Sequence, residues 1–117
     1  MKTATFCLTL LLSLAALTGC KSRVIKVSVV NTSAQRVANV AIDYPGGTFG
    51  ISSLEPGKTF PYTIKPLDNG PVKVEFTDAA GKRHVASPNT LRRNDEGSLV
   101  IKLTQDAVIT EPNIVSR

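Results

Sequence analysis

Val72-Lys73-Val74-Glu75-Phe76-Thr77 alternates apolar and polar side chains without a break. Successive side chains of a strand point to opposite faces, so Val72, Val74 and Phe76 share one face and Lys73, Glu75 and Thr77 the other. Such a stretch is a half-buried strand. The same period recurs on both sides of it. Ile25, Val27 and Val29 share one face of a stretch over 23–30, with Val24, Lys26, Ser28 and Val30 opposite. Over 37–44 the alternation groups Ala38, Val40, Ile42 and Tyr44, and over 49–54 it aligns Phe49 with Ile51. Phe60, Tyr62 and Ile64 align over 59–65, and Leu99, Ile101 and Leu103 build the last strong strand.

The intervals carry turn chemistry. Asn31-Thr32-Ser33, Pro45-Gly46-Gly47 and Pro66-Leu67-Asp68-Asn69-Gly70 break the pattern. Glu55-Pro56-Gly57-Lys58 reads as a type II turn, Pro setting φ and Gly accepting a positive one. Pro61 has no N–H for a ladder, so its strand belongs at a sheet edge or at a bulge. Asp78-Ala79-Ala80-Gly81 leads into a strand over 82–86, and 88–97 reads as a long polar connection. No long stretch repeats apolar residues with helical spacing.

Seven short strands with regular turns predict an all-β, antiparallel two-sheet sandwich; a small closed barrel is the alternative. The cadence Val27-Ser28-Val29, Leu54-Glu55-Pro56-Gly57, Tyr62-Thr63-Ile64 and Val72-Lys73-Val74-Glu75-Phe76 loosely resembles immunoglobulin-like or transthyretin-like envelope domains. The Trp and paired Cys of antibody domains are absent. Residues 105–117 read as a C-terminal tail, either frayed or an added edge strand.

Upstream the pattern changes. Lys2 precedes the uncharged run Phe6-Cys7-Leu8-Thr9-Leu10-Leu11-Leu12-Ser13-Leu14-Ala15-Ala16-Leu17. Its 12 residues would span roughly 18 Å as a helix, short of the roughly 30 Å hydrocarbon core. A charged start, a short apolar run and small residues have the layout of an export signal. The run closes on Leu17-Thr18-Gly19-Cys20, which resembles the lipobox of bacterial lipoproteins. The resemblance implies that Leu17, Thr18 and Gly19 are read by the signal peptidase. It implies cleavage before Cys20 and acylation of Cys20 by diacylglyceryl and fatty acyl (palmitate-type) groups. The expected organisation is 1–19 signal peptide, 20–23 lipidated Cys and tether, 24–104 sandwich, and 105–117 tail. Lys21 in place of Asp after the Cys implies, where two membranes exist, the outer membrane facing the periplasm.

The mature chain would hold no Cys beyond Cys20, so no disulfide supports its core. The net charge of +5 also changes meaning. Lys21, Arg23 and Lys26 follow the anchor directly, where each adds on the order of 1 kcal/mol at an anionic membrane surface. Without them and the signal, ten basic residues face nine acidic ones.

Catalytic chemistry has little to build on. His84 is the single imidazole, set in the basic Lys82-Arg83-His84 stretch of a strand expected to be exposed, and reads as structural. Asp95-Glu96 beside Arg92-Arg93 reads as a solvated charge cluster, and Gly46-Gly47 lacks the rest of a phosphate loop. No metal, cofactor or nucleic-acid partner is expected. The expectation is a non-enzymatic, lipid-anchored envelope lipoprotein that binds or assembles with an envelope protein. Phe60, Tyr62, Lys82, Arg83, Arg92 and Arg93 are its candidate contacts. The rival readings are recognition of anionic envelope polymers or lipids, which needs both basic pairs on one face, and inhibition of a foreign hydrolase in the periplasm.

Overall fold

A computed structural model describes residues 23–116. Leu17, Thr18, Gly19, Cys20 and Lys21 lie outside the described residues. Eight strands follow one another: β1 (Ile25–Asn31), β2 (Val37–Tyr44), β3 (Gly47–Leu54), β4 (Thr59–Ile64), β5 (Gly70–Thr77), β6 (Arg83–Leu91), β7 (Glu96–Leu103) and β8 (Val108–Val115). They form two four-stranded sheets, ordered β4-β1-β7-β8 and β3-β2-β5-β6. The architecture is the expected two-sheet sandwich, not a closed barrel. It has one more strand than expected, and β1 runs parallel to β7, pairing Ile25 with Gly97 and Asn31 with Leu103. All other strand pairs are antiparallel.

The core fills the space between the sheets. Val72, Val74 and Phe76 are fully buried, as are Ile25 and Val29 of β1 and Leu99, Ile101 and Leu103 of β7. Removing a buried ring such as that of Phe76 costs about 3–5 kcal/mol, so this one face of β5 supplies a large share of a small domain's stability. Glu55-Pro56-Gly57-Lys58 makes its turn with Gly57 at φ +75° and Lys58 N–H donating to the Glu55 carbonyl at 3.1 Å.

Strict alternation fails in two places, both at bulges. Ala38 and Ala41 of β2 face Thr77 and Glu75 of β5, so β2 carries one residue more than its partner. Asn39 takes φ +50° there, a conformation that Asn tolerates better than most residues. Side chains beyond the bulge exchange faces. Val37 joins Val40 and Ile42 in the core, and Ala38 does not share their face as expected. Leu54 and Ile51 on β3, opposite Val37 and Val40, follow the same shift.

The second bulge corrects the expected end of β6. Val72 and Val74 pair with Asn89 and Ala86, which leaves an extra residue in the Ser87-Pro88 segment. The strand continues past Pro88 to Leu91, which is fully buried. Pro88 is tolerated because it sits at a bulge in an edge strand. The polar connection is therefore only residues 92–95. Pro61 lies in β4 and Pro112 in β8, the two edges of the other sheet. Residues 108–115, expected within a tail, pair with β7 from Leu103↔Val108 to Glu96↔Val115.

Candidate functional site

Strand order gives the sandwich two ends. One carries the loops at 32–36, 55–58, 78–82 and 104–107. The other carries the chain entry at Arg23 and the loops at 45–46, 65–69 and 92–95. This assigns each candidate residue a place.

Lys82 and Arg83 stand at the first end and Arg92 and Arg93 at the second. The nine residues of β6, from Arg83 to Leu91, separate the two pairs by roughly 30 Å of extended chain. The two pairs do not converge on one end. Arg83 is also engaged already, its Nε 2.6 Å from Glu75 Oε1 on the neighbouring strand. That hydrogen bond is the main reason the Glu75 carboxyl is held below its ordinary value and the Arg83 guanidinium above its own.

His84 is half-buried, not exposed as the basic stretch suggested. Its ring stacks on Phe76 with centroids 4.8 Å apart, and Nε2 lies 2.8 Å from Asp78 Oδ2. An ionised carboxylate only accepts, so Nε2 carries the proton. Asp78 Oδ1 also accepts from the N–H groups of Ala80 and Lys82, closing the β5–β6 turn. These bonds, His84 first, hold the Asp78 carboxyl below its ordinary value. Among the described residues no three His, Cys, Asp or Glu come close enough to hold a metal ion. The arrangement braces a turn.

A carboxyl held low contributes stability above its unfolded pKa, about 3.9, and loses it as the pH falls through the lower folded value. Asp78→Asn is thus expected to melt earlier than the native chain at pH 7. Its stability should also decline less steeply below about pH 4. Thermal melts between pH 2 and 7 read both; parallel acid limbs for the two chains would remove the turn-bracing role.

Phe60 and Tyr62, the aromatic candidates, lie on β4 and join two residues that sequence reading did not connect with them. Phe49 stacks on Tyr62 at 4.2 Å and on Phe60 at 6.4 Å, and Tyr44 tilts against Phe49 at 6.4 Å. The rings close the side of the sandwich where β3 and β4, edges of opposite sheets, run next to each other. Tyr62 remains 40% exposed. Burial, then the neighbouring Tyr62, raises the Tyr44 hydroxyl pKa.

On the opposite side, Asn89, Thr90, Arg92, Asp95, Pro112, Ile114 and Ser116 line an open cleft of about 300 Å³ between β6 and β8. Asp95 is buried, not a solvated charge: Oδ2 accepts from Arg92 N–H at 2.9 Å and Oδ1 from the Ser116 hydroxyl at 2.7 Å. It organises the 92–95 turn, in which Asn94 takes φ +69°.

The end that carries Arg23 is tied together by backbone bonds. Gly97 N–H donates to the Val24 carbonyl at 3.2 Å, and Leu67 N–H to the Pro45 carbonyl at 2.9 Å. Arg93 N–H donates to Asn69 Oδ1 at 2.9 Å. Arg92 and Arg93 therefore share this end with Arg23, a grouping invisible before the strand order was in place.

No family model matches the chain, and no curated protein matches it. A solved structure described as "NMR structure of the protein from Eubacterium rectale" is similar in fold, with a TM-score of 0.57 at 14% identity. The alignment covers 78% of this chain and 89% of that one. At such identity the likeness concerns the fold alone, a two-sheet β-sandwich.

Proposed function

We propose that the chain is a non-enzymatic bacterial envelope lipoprotein whose sandwich serves as a binding or assembly module for an envelope protein. The observation that carries the reading is Leu17-Thr18-Gly19-Cys20, closing an apolar run too short to span a bilayer behind a basic start. Lipid on Cys20 would hold the domain at the membrane, with Lys21, Arg23 and Lys26 beside the headgroups; two or three acyl chains anchor stably where one does not.

The sandwich is read as transthyretin-like in preference to immunoglobulin-like. Immunoglobulin constant domains keep the first, second, fourth and fifth strands in one sheet, whereas here β1 and β2 lie in different sheets. For the partner surface, the side formed by β3, β4 and the exposed ring of Tyr62 is the best supported. Among the described edges, β4, β6 and β8 each carry a proline inside the strand, while β3 has neither proline nor charge. Prolines and charges are the usual guards against strand addition, so β3 is the unguarded edge. The two basic pairs stand at opposite ends of β6 and so form no single compact anion-binding cluster.

Bacterial cells fed labelled palmitate test the anchor. The native chain is expected to take up label and sediment with membranes, and Cys20→Ser to lose both. A native chain that is exported without label overturns the reading.

A further inference from the structure

We propose that the end of the sandwich bearing Arg23 is a docking face for an anionic phospholipid surface, with Leu67 entering the headgroup layer. The proposal rests on the lipoprotein reading and names the loops that meet the membrane.

Three observations carry it. The first is reach. Cys20 precedes Arg23 by three residues, roughly 10 Å of fully extended chain, so a lipid on Cys20 brings this end to the membrane and not the far one. The second is charge. Arg23, Lys65, Arg92 and Arg93 are all exposed there. Of the acidic residues at this end, Asp95 is buried and bonded, Glu96 is half-buried, half-buried Asp43 accepts from the Thr48 hydroxyl and pairs across the ladder with Lys73, and exposed Asp68 accepts from the N–H of Asn69. The exposed balance is positive.

The third is apolar exposure at the tip. Leu67 is 57% exposed and Val115, at the end of β8, 54%. Leu67 does not hang loosely. Its N–H is bonded to the Pro45 carbonyl, the neighbouring Pro66 is buried, and the side chain packs closely over Gly46. A rigidly presented leucine at an end that also carries exposed cations suits an interface in which the acyl boundary takes the apolar group and phosphates take the charges. Anionic lipid, not protein, is the occupant chosen, because the tether holds this end against the bilayer and leaves little room between.

The chain has no Trp, so Leu67→Trp installs a single reporter. Ala80→Trp, exposed in the turn at the far end, is its control. Both full-length chains are incorporated into phosphatidylethanolamine–phosphatidylglycerol vesicles with brominated acyl chains. The indole at 67 is expected to shift to the blue and lose most of its emission, and the one at 80 to keep both. Changing Lys65, Arg92 and Arg93 to Ser in the Leu67→Trp chain is expected to weaken the contact about fivefold per charge. It should also reduce the salt dependence, leaving the part that Lys21, Arg23 and Lys26 carry. Equal emission from both positions on a chain that carries lipid overturns the docking face and leaves the anchor standing. A chain without lipid whose indole at 67 is still quenched upholds the face and removes the anchor. Absence of both lipid and quenching removes the two together.

Discussion

Gly97→Ala is expected to break the β7–β8 ladder and to destabilise the domain by about 3 kcal/mol or more. Gly97 holds φ +137°, and a Cβ there would lie 2.1 Å from the Asn113 carbonyl oxygen and 3.1 Å from Ile114 Cα. Both obstacles are backbone, so no rotamer change relieves them. Retreat in the other direction is blocked as well, because Gly97 N–H is bonded to the Val24 carbonyl on the side of β1. The strand must give way on one side, and β8, bonded only to β7, gives first. Gly57→Ala is the matched control. It also requires a positive φ, +75°, but a Cβ there meets nothing within 4 Å. Backbone strain alone leaves it about 1–2 kcal/mol less stable. Denaturant melts compare the two, and amide exchange at Ile109, Glu111 and Asn113 localises the loss. Equal destabilisation of both variants would remove the clash as the cause.

Asn31→Asp is expected to be nearly as damaging, although it exchanges only an NH₂ for an oxygen. Asn31 is fully buried at the end of β1, and every polar atom of it is used. Nδ2 donates to the carbonyls of Gln35 and Leu54 at 2.8 and 2.9 Å. Oδ1 accepts from Ser33 N–H at 2.9 Å and the Ser33 hydroxyl at 2.6 Å. Its backbone N–H reaches the Lys58 carbonyl, and its own carbonyl accepts from Gly57. One side chain thus joins β1, the 32–36 loop and the end of β3 in the other sheet. A carboxylate would turn an oxygen toward two carbonyls and bury an unpaired charge, costing about 3–5 kcal/mol. Burial raises the folded pKa of the new carboxyl above its unfolded value. The deficit is therefore largest at neutral pH and shrinks as the pH falls toward about 4, where the protonated acid regains one donor. A deficit that stays constant between pH 4 and 7 would contradict this account.

Period-two alternation made most of the core legible, because a strand with one wet face writes its burial directly into the sequence. Val72, Val74 and Phe76 are the plainest case, and Pro61 pointed correctly to an edge. Alternation misled where a bulge intervened. Nothing in Val37-Ala38-Asn39-Val40 marks the extra residue except an Asn suited to positive φ. Leu91 was hidden among polar neighbours after Pro88, since a proline reads as a stop unless the strand is known to be an edge. Sheet membership was the larger gap. Alternation says nothing about which strands pair, so neither the ring cluster of Tyr44, Phe49, Phe60 and Tyr62 nor the end shared by Arg23 and Arg93 was visible. Leu67 gave no signal, because one leucine in a turn resembles any other.

The parallel pairing of β1 with β7 bears on the order of events in synthesis. Ile25 finds its partner Gly97 only after 72 further residues have been made. Until then β1 has β4 alone beside it, and an isolated two-stranded ribbon is marginally stable in water. Contacts this distant in sequence also form slowly, since a long loop must close before they reward it. A nascent chain of this design therefore gains little by folding early. Under the proposed export through a secretory channel as an open thread, the late arrival of the central strand would keep the chain transportable.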